Sequence, residues 1–131
     1  MTTFLIDSDV LADFFQKKTY ALLLIEKLSQ VGSLAISLLT VSELRAGWTK
    51  HQAAFFLPQL YNLTKPFGLT ESIAELAGEL RYIYRIKGVS LPTVDTLIAA
   101  TALINGHTLV THNTKDYPMP ELHLYPFPKN N

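Results

Sequence analysis

The sequence predicts an α/β fold in which a parallel sheet is covered by helices on both faces. Two observations lead there. Strand-like and helix-like segments alternate along the whole chain, the order that builds parallel sheets. The strand-like segments, Phe4-Leu5-Ile6, Leu34-Ala35-Ile36-Ser37-Leu38 and Thr108-Leu109-Val110-Thr111, are also short and nearly continuous apolar runs. A strand with one wet face alternates apolar with polar residues, whereas one buried on both faces does not.

Phe4 to Ile6 form the first strand, and Asp7 follows at once. Val10, Leu11, Phe14 and Phe15 then recur at separations of three and four, the spacing of one helical face. Asp7 therefore stands where a strand feeds a helix, the edge at which open parallel sheets bind ligands. Lys17-Lys18-Thr19 breaks the pattern. A second helix is expected over Tyr20–Gln30, with Leu23, Leu24 and Leu28 inward and Gly32 following its end.

After the Leu34–Leu38 strand, Thr40 and Glu43 have capping-box spacing, so a helix is expected to start there. Glu43 is then either the capping partner or an acid free for chemistry. The helical pattern continues to about Tyr61 through Leu44, Trp48, Phe55, Phe56 and Leu60, interrupted by Pro58. Core packing accounts for most of these rings.

Pro66 and Gly68 mark a short strand within Thr64–Leu69. Thr70–Lys87 reads as a long helix with Ile73, Leu76, Ala77, Leu80 and Tyr84 on one face, ended by Gly88. Arg81, Arg85 and Lys87 in its last turns complement the helix dipole. Beside Tyr82 and Tyr84 they are also candidates for contacts to phosphates and bases. Leu91-Pro92-Thr93-Val94-Asp95 opens a helix that runs to Asn105-Gly106, apolar on nearly every side and hence buried. Thr108–Thr111 leads into a polar loop, His112 to Pro118, that carries Asp116. The proline-rich tail with Leu122, Leu124, Tyr125 and Phe127 is expected to add a short edge strand.

With 131 residues, 48% hydrophobic and 17% charged, the chain is expected to form one domain spanning 1–131 around a real core. A formal net charge of zero argues against a strongly basic nucleic-acid binder, so any polyanion site must be built locally. The absence of cysteine removes disulfides, thiolate metal sites and cysteine nucleophiles, and accords with a reducing compartment. No segment has the length and apolarity of a membrane span, and none reads as an export signal. A cytoplasmic location without membrane attachment is expected.

Four acids share a setting. Asp7 ends the first strand, Glu43 begins the helix after the second, Asp95 lies in the first turn of the buried helix, and Asp116 follows the last strand. Right-handed crossovers carry strand ends to one edge, where these carboxylates can meet. Carboxylates brought together repel, and burial adds to the cost of their charge. Hard divalent cations relieve both, and an oxygen-only ligand set favours Mg²⁺ or Mn²⁺ over Zn²⁺. Two ions about 3.5–4 Å apart activate a water and stabilise the leaving oxygen of an in-line displacement. Spacing alone leaves the bland alternative open, because acids after strands are common helix caps.

Four blocks then carry a resemblance: Phe4-Leu5-Ile6-Asp7-Ser8-Asp9-Val10-Leu11, Thr40-Val41-Ser42-Glu43-Leu44-Arg45-Ala46-Gly47, Asp95-Thr96-Leu97-Ile98-Ala99-Ala100-Thr101-Ala102 and Leu109-Val110-Thr111-His112-Asn113-Thr114-Lys115-Asp116-Tyr117. In this order they resemble PIN-domain proteins, and among those the VapC toxins of toxin–antitoxin pairs. The resemblance spans nearly the whole chain. It implies a three-layer α/β/α sandwich with a central, mainly parallel sheet of four to five strands. It implies a Mg²⁺- or Mn²⁺-dependent endoribonuclease that cuts single-stranded or looped RNA with a metal-activated water, leaving a 5′-phosphate and a 3′-hydroxyl.

Carried over by position, Asp7, Glu43 and Asp95 would be the core metal ligands and Asp116 the fourth acid. Thr111 and Asn113 would orient a carboxylate or water. The family also implies a homodimer and a small VapB-like antitoxin whose C-terminal segment lies over the active site. Trp48, Phe55, Phe56 and Tyr61 form a candidate groove for that segment, and Arg45, Arg81 and Arg85 are candidates for contacts to substrate or antitoxin. Two positions depart from the family pattern. Asp9 stands where many relatives have Asn, and is expected to cap a helix. Tyr117 stands where Phe is commoner, a change expected to matter little.

Two other readings compete. A PIN-fold module that binds RNA or protein without cutting would not need four mutually repelling acids. Asp7-Ser8-Asp9 also resembles the paired aspartates of haloacid-dehalogenase-type phosphatases, but Leu11 stands where Thr or Val is expected, and no later Gly-Asp-rich motif follows.

Overall fold

In the computed structural model, alternate residues of each strand enter two different cores. Phe4 and Ile6, Leu34 and Ile36, and Val110 face one side, where they pack with Val10, Leu11, Phe15, Leu24, Ile25, Leu28, Leu44 and Leu60. Leu5, Ala35 and Leu109 face the other, against Leu80, Leu91, Ile98, Ala99 and Ala102. Both faces of the sheet are thus dry, which is why its strands read as unbroken apolar runs. The structure describes residues 1–128, and the last three residues of the expected 1–131 span lie outside it.

The element order is β1 (Thr2–Ile6), α1 (Ser8–Phe15), α2 (Thr19–Val31), β2 (Gly32–Ser37), α3 (Leu38–Ala46), α4 (Lys50–Leu63), β3 (Lys65–Phe67), α5 (Glu71–Ile86), α6 (Thr93–Asn105) and β4 (Thr108–Val110), followed by a short 3₁₀ turn, Thr114–Asp116. The sheet runs β3-β2-β1-β4, with every pairing parallel. Helices α1 to α4 supply one outer layer, and α5 and α6 the other. The expected edge strand of the tail is reduced to one parallel bridge, Leu109 to Leu124, held by the Leu109 and Tyr125 amides.

Gly32 is where α2 must turn directly into β2. A Cβ there would lie 2.2 Å from the Thr2 carbonyl oxygen, so only glycine lets β1 and β2 approach. Gly106 closes α6 in the left-handed region at φ 67°, the usual glycine stop.

Four expectations need correction. Leu23 is 61% exposed, and Ala21, Leu24, Ile25 and Leu28 form the inner stripe of α2 instead. The helix after β2 begins at Leu38, with Ser37 Oγ accepting from the Leu39 amide, so Thr40 and Glu43 are not a capping box. The capping box in this region is Thr49 with Gln52, which starts a separate helix after a break at Gly47. Pro58 does not interrupt that helix; it sits on the exposed side of α4, where the missing amide bond costs least.

Candidate active site

The strand ends and helix starts of this topology meet at the carboxyl edge of the sheet. Asp7 follows β1 directly and is only 5% exposed. It, and not Asp9, is the N-cap of α1: its Oδ1 accepts from the Ser8 amide at 2.8 Å. Its Oδ2 accepts from Thr111 Oγ1 at 2.9 Å and from the Tyr117 hydroxyl at 3.1 Å. Thr111 comes from the end of β4, the strand paired with β1, so the sheet register itself delivers this contact.

The expected cap, Asp9, lies in the first turn of α1 and does something else. Its Oδ2 accepts the His112 amide at 2.8 Å, pinning the loop after β4 to the start of α1. Asn113 then donates its amide N–H to Thr111 Oγ1 at 3.1 Å and its side-chain Nδ2 to Asp116 Oδ2 at 2.9 Å. Asp95 enters from the first turn of α6, and the Tyr117 hydroxyl stands 3.3 Å from its Oδ1. Glu43 projects from the middle of α3, freed from capping because Ser37 takes that role.

Electrostatics shows how closely these acids feel one another. Burial raises the pKa of Asp7, and the Asp9 charge adds to it, against the lowering effect of the Ser8 amide and the Thr111 and Tyr117 hydroxyls. Burial raises Glu43, and the charges of Asp7 and Asp95 push the same way. Burial again leads for Asp95, followed by Asp7 and Asp116. The Tyr117 phenol is pushed up by burial and by its two acidic neighbours, and so stays a neutral donor. No lysine or arginine forms an ion pair with any of these acids among the described residues.

That is a site with too much negative charge and hard oxygen donors. No three of the carboxylates among the described residues stand close enough for a finished ion cage. A Mg²⁺ ion needs none, since it keeps several waters and takes one or two carboxylates. The donor set therefore fits a hard divalent cation.

The candidate arginines form no ion pair with these acids. Arg45 ends α3 and donates through Nη1 to the Trp48 carbonyl at 2.7 Å. Arg81 and Arg85 lie in the last turns of α5. That helix end is tied near the site by the Tyr84 hydroxyl, which donates to the Pro118 carbonyl at 3.2 Å. Beside Glu43 and Asp9 opens a cleft of about 560 Å³, walled by Phe15, Trp48 and Phe56. These three rings contact one another at 5.0–5.2 Å between centroids. Phe55 and Tyr61, expected in the same groove, point away and are 64% and 46% exposed.

Tyr117 is the residue that sequence reasoning undervalued. Its signal was present as the departure from phenylalanine, but only the folded chain shows the extra oxygen between two acids.

A family model described as PIN domain matches residues 4–118. A protein named ribonuclease VapC19, from Mycobacterium tuberculosis, is 34% identical over 120 residues, covering 88% of this chain and 92% of its own. The crystal structure of VapBC2 from Rickettsia felis, bound to a DNA fragment from its promoter, has a TM-score of 0.85 at 24% identity, over 95% of this chain and 98% of the matched one. A toxin–antitoxin complex from Klebsiella pneumoniae has a TM-score of 0.75 at 28% identity, with 90% and 93% covered. The phosphatase reading falls with this family match.

Proposed function

Because the chain belongs to the PIN-domain family, as the match over residues 4–118 shows, we propose that it is a Mg²⁺- or Mn²⁺-dependent endoribonuclease that cuts single-stranded or looped RNA as the toxin of a toxin–antitoxin pair. One observation carries the reading: Asp7, Glu43 and Asp95 gather at one edge of the sheet, each with its pKa raised by burial and then by the charge of a neighbouring acid, and have no cationic partner among the described residues. A module that only binds has no use for that cost.

One or two of Asp7, Glu43, Asp95 and Asp116 would hold the cation directly and the others through its waters. When bound, it supplies an acidified water and neutralises charge on the phosphodiester. The chain's own residues do the rest. The Ser8 amide and the Thr111 and Tyr117 hydroxyls fix both oxygens of Asp7. Asn113 fixes Asp116, and Asp9 anchors the loop that presents both. Arg45, Arg81 and Arg85 are the candidate phosphate contacts. Water attacks phosphorus, the bond to the 3′ oxygen breaks, and the products are a 5′-phosphate and a 3′-hydroxyl.

The cleft walled by Phe15, Trp48 and Phe56 is apolar beside the acids. It suits a VapB-like antitoxin segment that brings apolar side chains to the rings and a positive charge to the carboxylates. Tyr82, Ile86 and Val89 leave an exposed apolar stripe at the end of α5, which supports a homodimer. No helix among the described residues is long and apolar enough to cross a membrane, and we place the protein in the cytoplasm with its RNA.

The test is cleavage of structured RNA by purified chain freed of any antitoxin, with Mg²⁺, beside an Asp7→Asn control. Cleavage by the parent alone supports the reading. Equal cleavage by both, or none by the parent while RNA is still bound, overturns it.

A further inference from the structure

The Tyr117 ring is held on every side. It is 2% exposed and packs in the core on the α6 side of the sheet with Leu5, Leu109, Met119 and Leu122. Its amide donates to the Thr114 carbonyl at 3.0 Å, and the carbonyl of the next residue, Pro118, accepts from Tyr84 on α5. A ring fixed in this way delivers its hydroxyl to one place. That place lies between two acids from opposite ends of the chain, 3.1 Å from Asp7 Oδ2 and 3.3 Å from Asp95 Oδ1.

A phenol has a single proton to donate, so one donor serves two acceptors. The pair is bridged through the core and not through solvent. A phenylalanine would pack the same ring and offer nothing to either carboxylate. Thr111 contacts Asp7 but lies within hydrogen-bond reach of no other metal-site candidate, so among the described residues Tyr117 alone spans the two.

We propose that the Tyr117 hydroxyl is a positioning group that joins Asp7 and Asp95 into one preorganised unit before a divalent cation binds. The consequence is a tighter cation site than the same chain would have with phenylalanine at 117. Without the hydroxyl, Asp7 is still held by Ser8 and Thr111, but Asp95 is free to swing away from its repelling neighbour, and binding must first bring it back. This inference rests on the proposed cation site, but the two fail differently.

The experiment compares the parent with Tyr117→Phe, both stripped of metal, by calorimetric titration with Mg²⁺ and by electron paramagnetic resonance of added Mn²⁺. Tyr117→Phe is expected to bind both ions about tenfold more weakly, the equivalent of about 1.4 kcal/mol. RNA cleavage at saturating Mg²⁺ is expected to change far less than the Mg²⁺ concentration giving half the maximal rate. A merely structural hydroxyl would lower the melting temperature and leave the ion affinity unchanged. Equal affinity in both proteins overturns the positioning role and leaves the nuclease reading intact. A parent that binds neither ion overturns both.

A second measurement needs no variant. In parent protein with ¹³C-labelled tyrosine, the Cζ resonance of Tyr117 is expected to shift as Mg²⁺ saturates the site. Binding without any shift of that resonance would also overturn the inference.

Discussion

Replacing Asp7 by asparagine should make the metal-free protein more stable, although it removes one of the proposed metal ligands. Asp7 is buried, and its pKa is raised by that burial and by the Asp9 charge. The folded site therefore disfavours the charged form, and every tenfold loss of acidity on folding costs about 1.4 kcal/mol of stability at neutral pH. Asparagine carries no charge and is as good an N-cap as aspartate. The Thr111 and Tyr117 hydroxyls can rotate to accept from its amide instead of donating to a carboxylate.

A gain in stability at pH 7 is expected. With about 2.1 cal/mol/K of unfolding entropy per residue, a chain of 131 residues shifts its melting temperature by roughly 3.6 °C per kcal/mol. The metal-free variant should thus melt above the parent, by that interval for each kcal/mol gained. Mg²⁺ at a hundred times its dissociation constant should then raise the parent by about 2.7 kcal/mol, roughly 10 °C, and leave the variant nearly unmoved. Calorimetric melts with and without Mg²⁺ provide the assay. A metal-free Asp7→Asn protein that melts below the parent would refute the electrostatic account of the site. So would a parent indifferent to Mg²⁺.

Further outcomes follow from the same geometry. The folded pKa values of Asp7, Glu43 and Asp95 lie above their ordinary values of 3.8, 4.5 and 3.8, so the folded state holds protons longer than the unfolded chain. Metal-free stability should fall as pH rises from those ordinary values through the raised ones, then level off; urea midpoints across pH that rise over this window would contradict it. Gly32→Ala should cost about 1–3 kcal/mol, because its Cβ would meet backbone at the Thr2 carbonyl, and an unchanged urea midpoint would refute the close approach. Ser37→Ala should cost about 1 kcal/mol through loss of the α3 cap. Thr40→Val should be neutral or stabilising, because the buried Thr40 hydroxyl has no partner among the described residues. The reverse order of those two melting temperatures would restore the capping box at Thr40.

What the chain announces by itself is whatever depends on local order. Short apolar runs without alternation, bounded by turn signals, read as strands buried on both faces, and Phe4–Ile6 and Leu34–Ile36 form the two central strands of the sheet. Asp7, Asp95 and Asp116, placed after strands or at a helix start, marked the candidate site at its carboxyl edge, because parallel topology sends those points the same way. Glycines at 88 and 106 stopped their helices in the left-handed region, as their positions implied.

What the tertiary structure decided is whatever depends on which of several competent groups arrives first. Thr40 and Glu43 have capping-box spacing, but Ser37 reaches the free amides of α3 before them, and Glu43 is released toward the site. Asp9 was the expected cap, but the strand end sets Asp7 in that role and leaves Asp9 to hold the His112 amide. Trp48 and Phe56 form the cleft wall with Phe15, while Phe55 lies outside it, because the break at Gly47 gives α4 its own rotation. Tyr117 is the sharpest case. As a letter it differs from phenylalanine by one oxygen, and only packing from both ends of the chain sets that oxygen between Asp7 and Asp95.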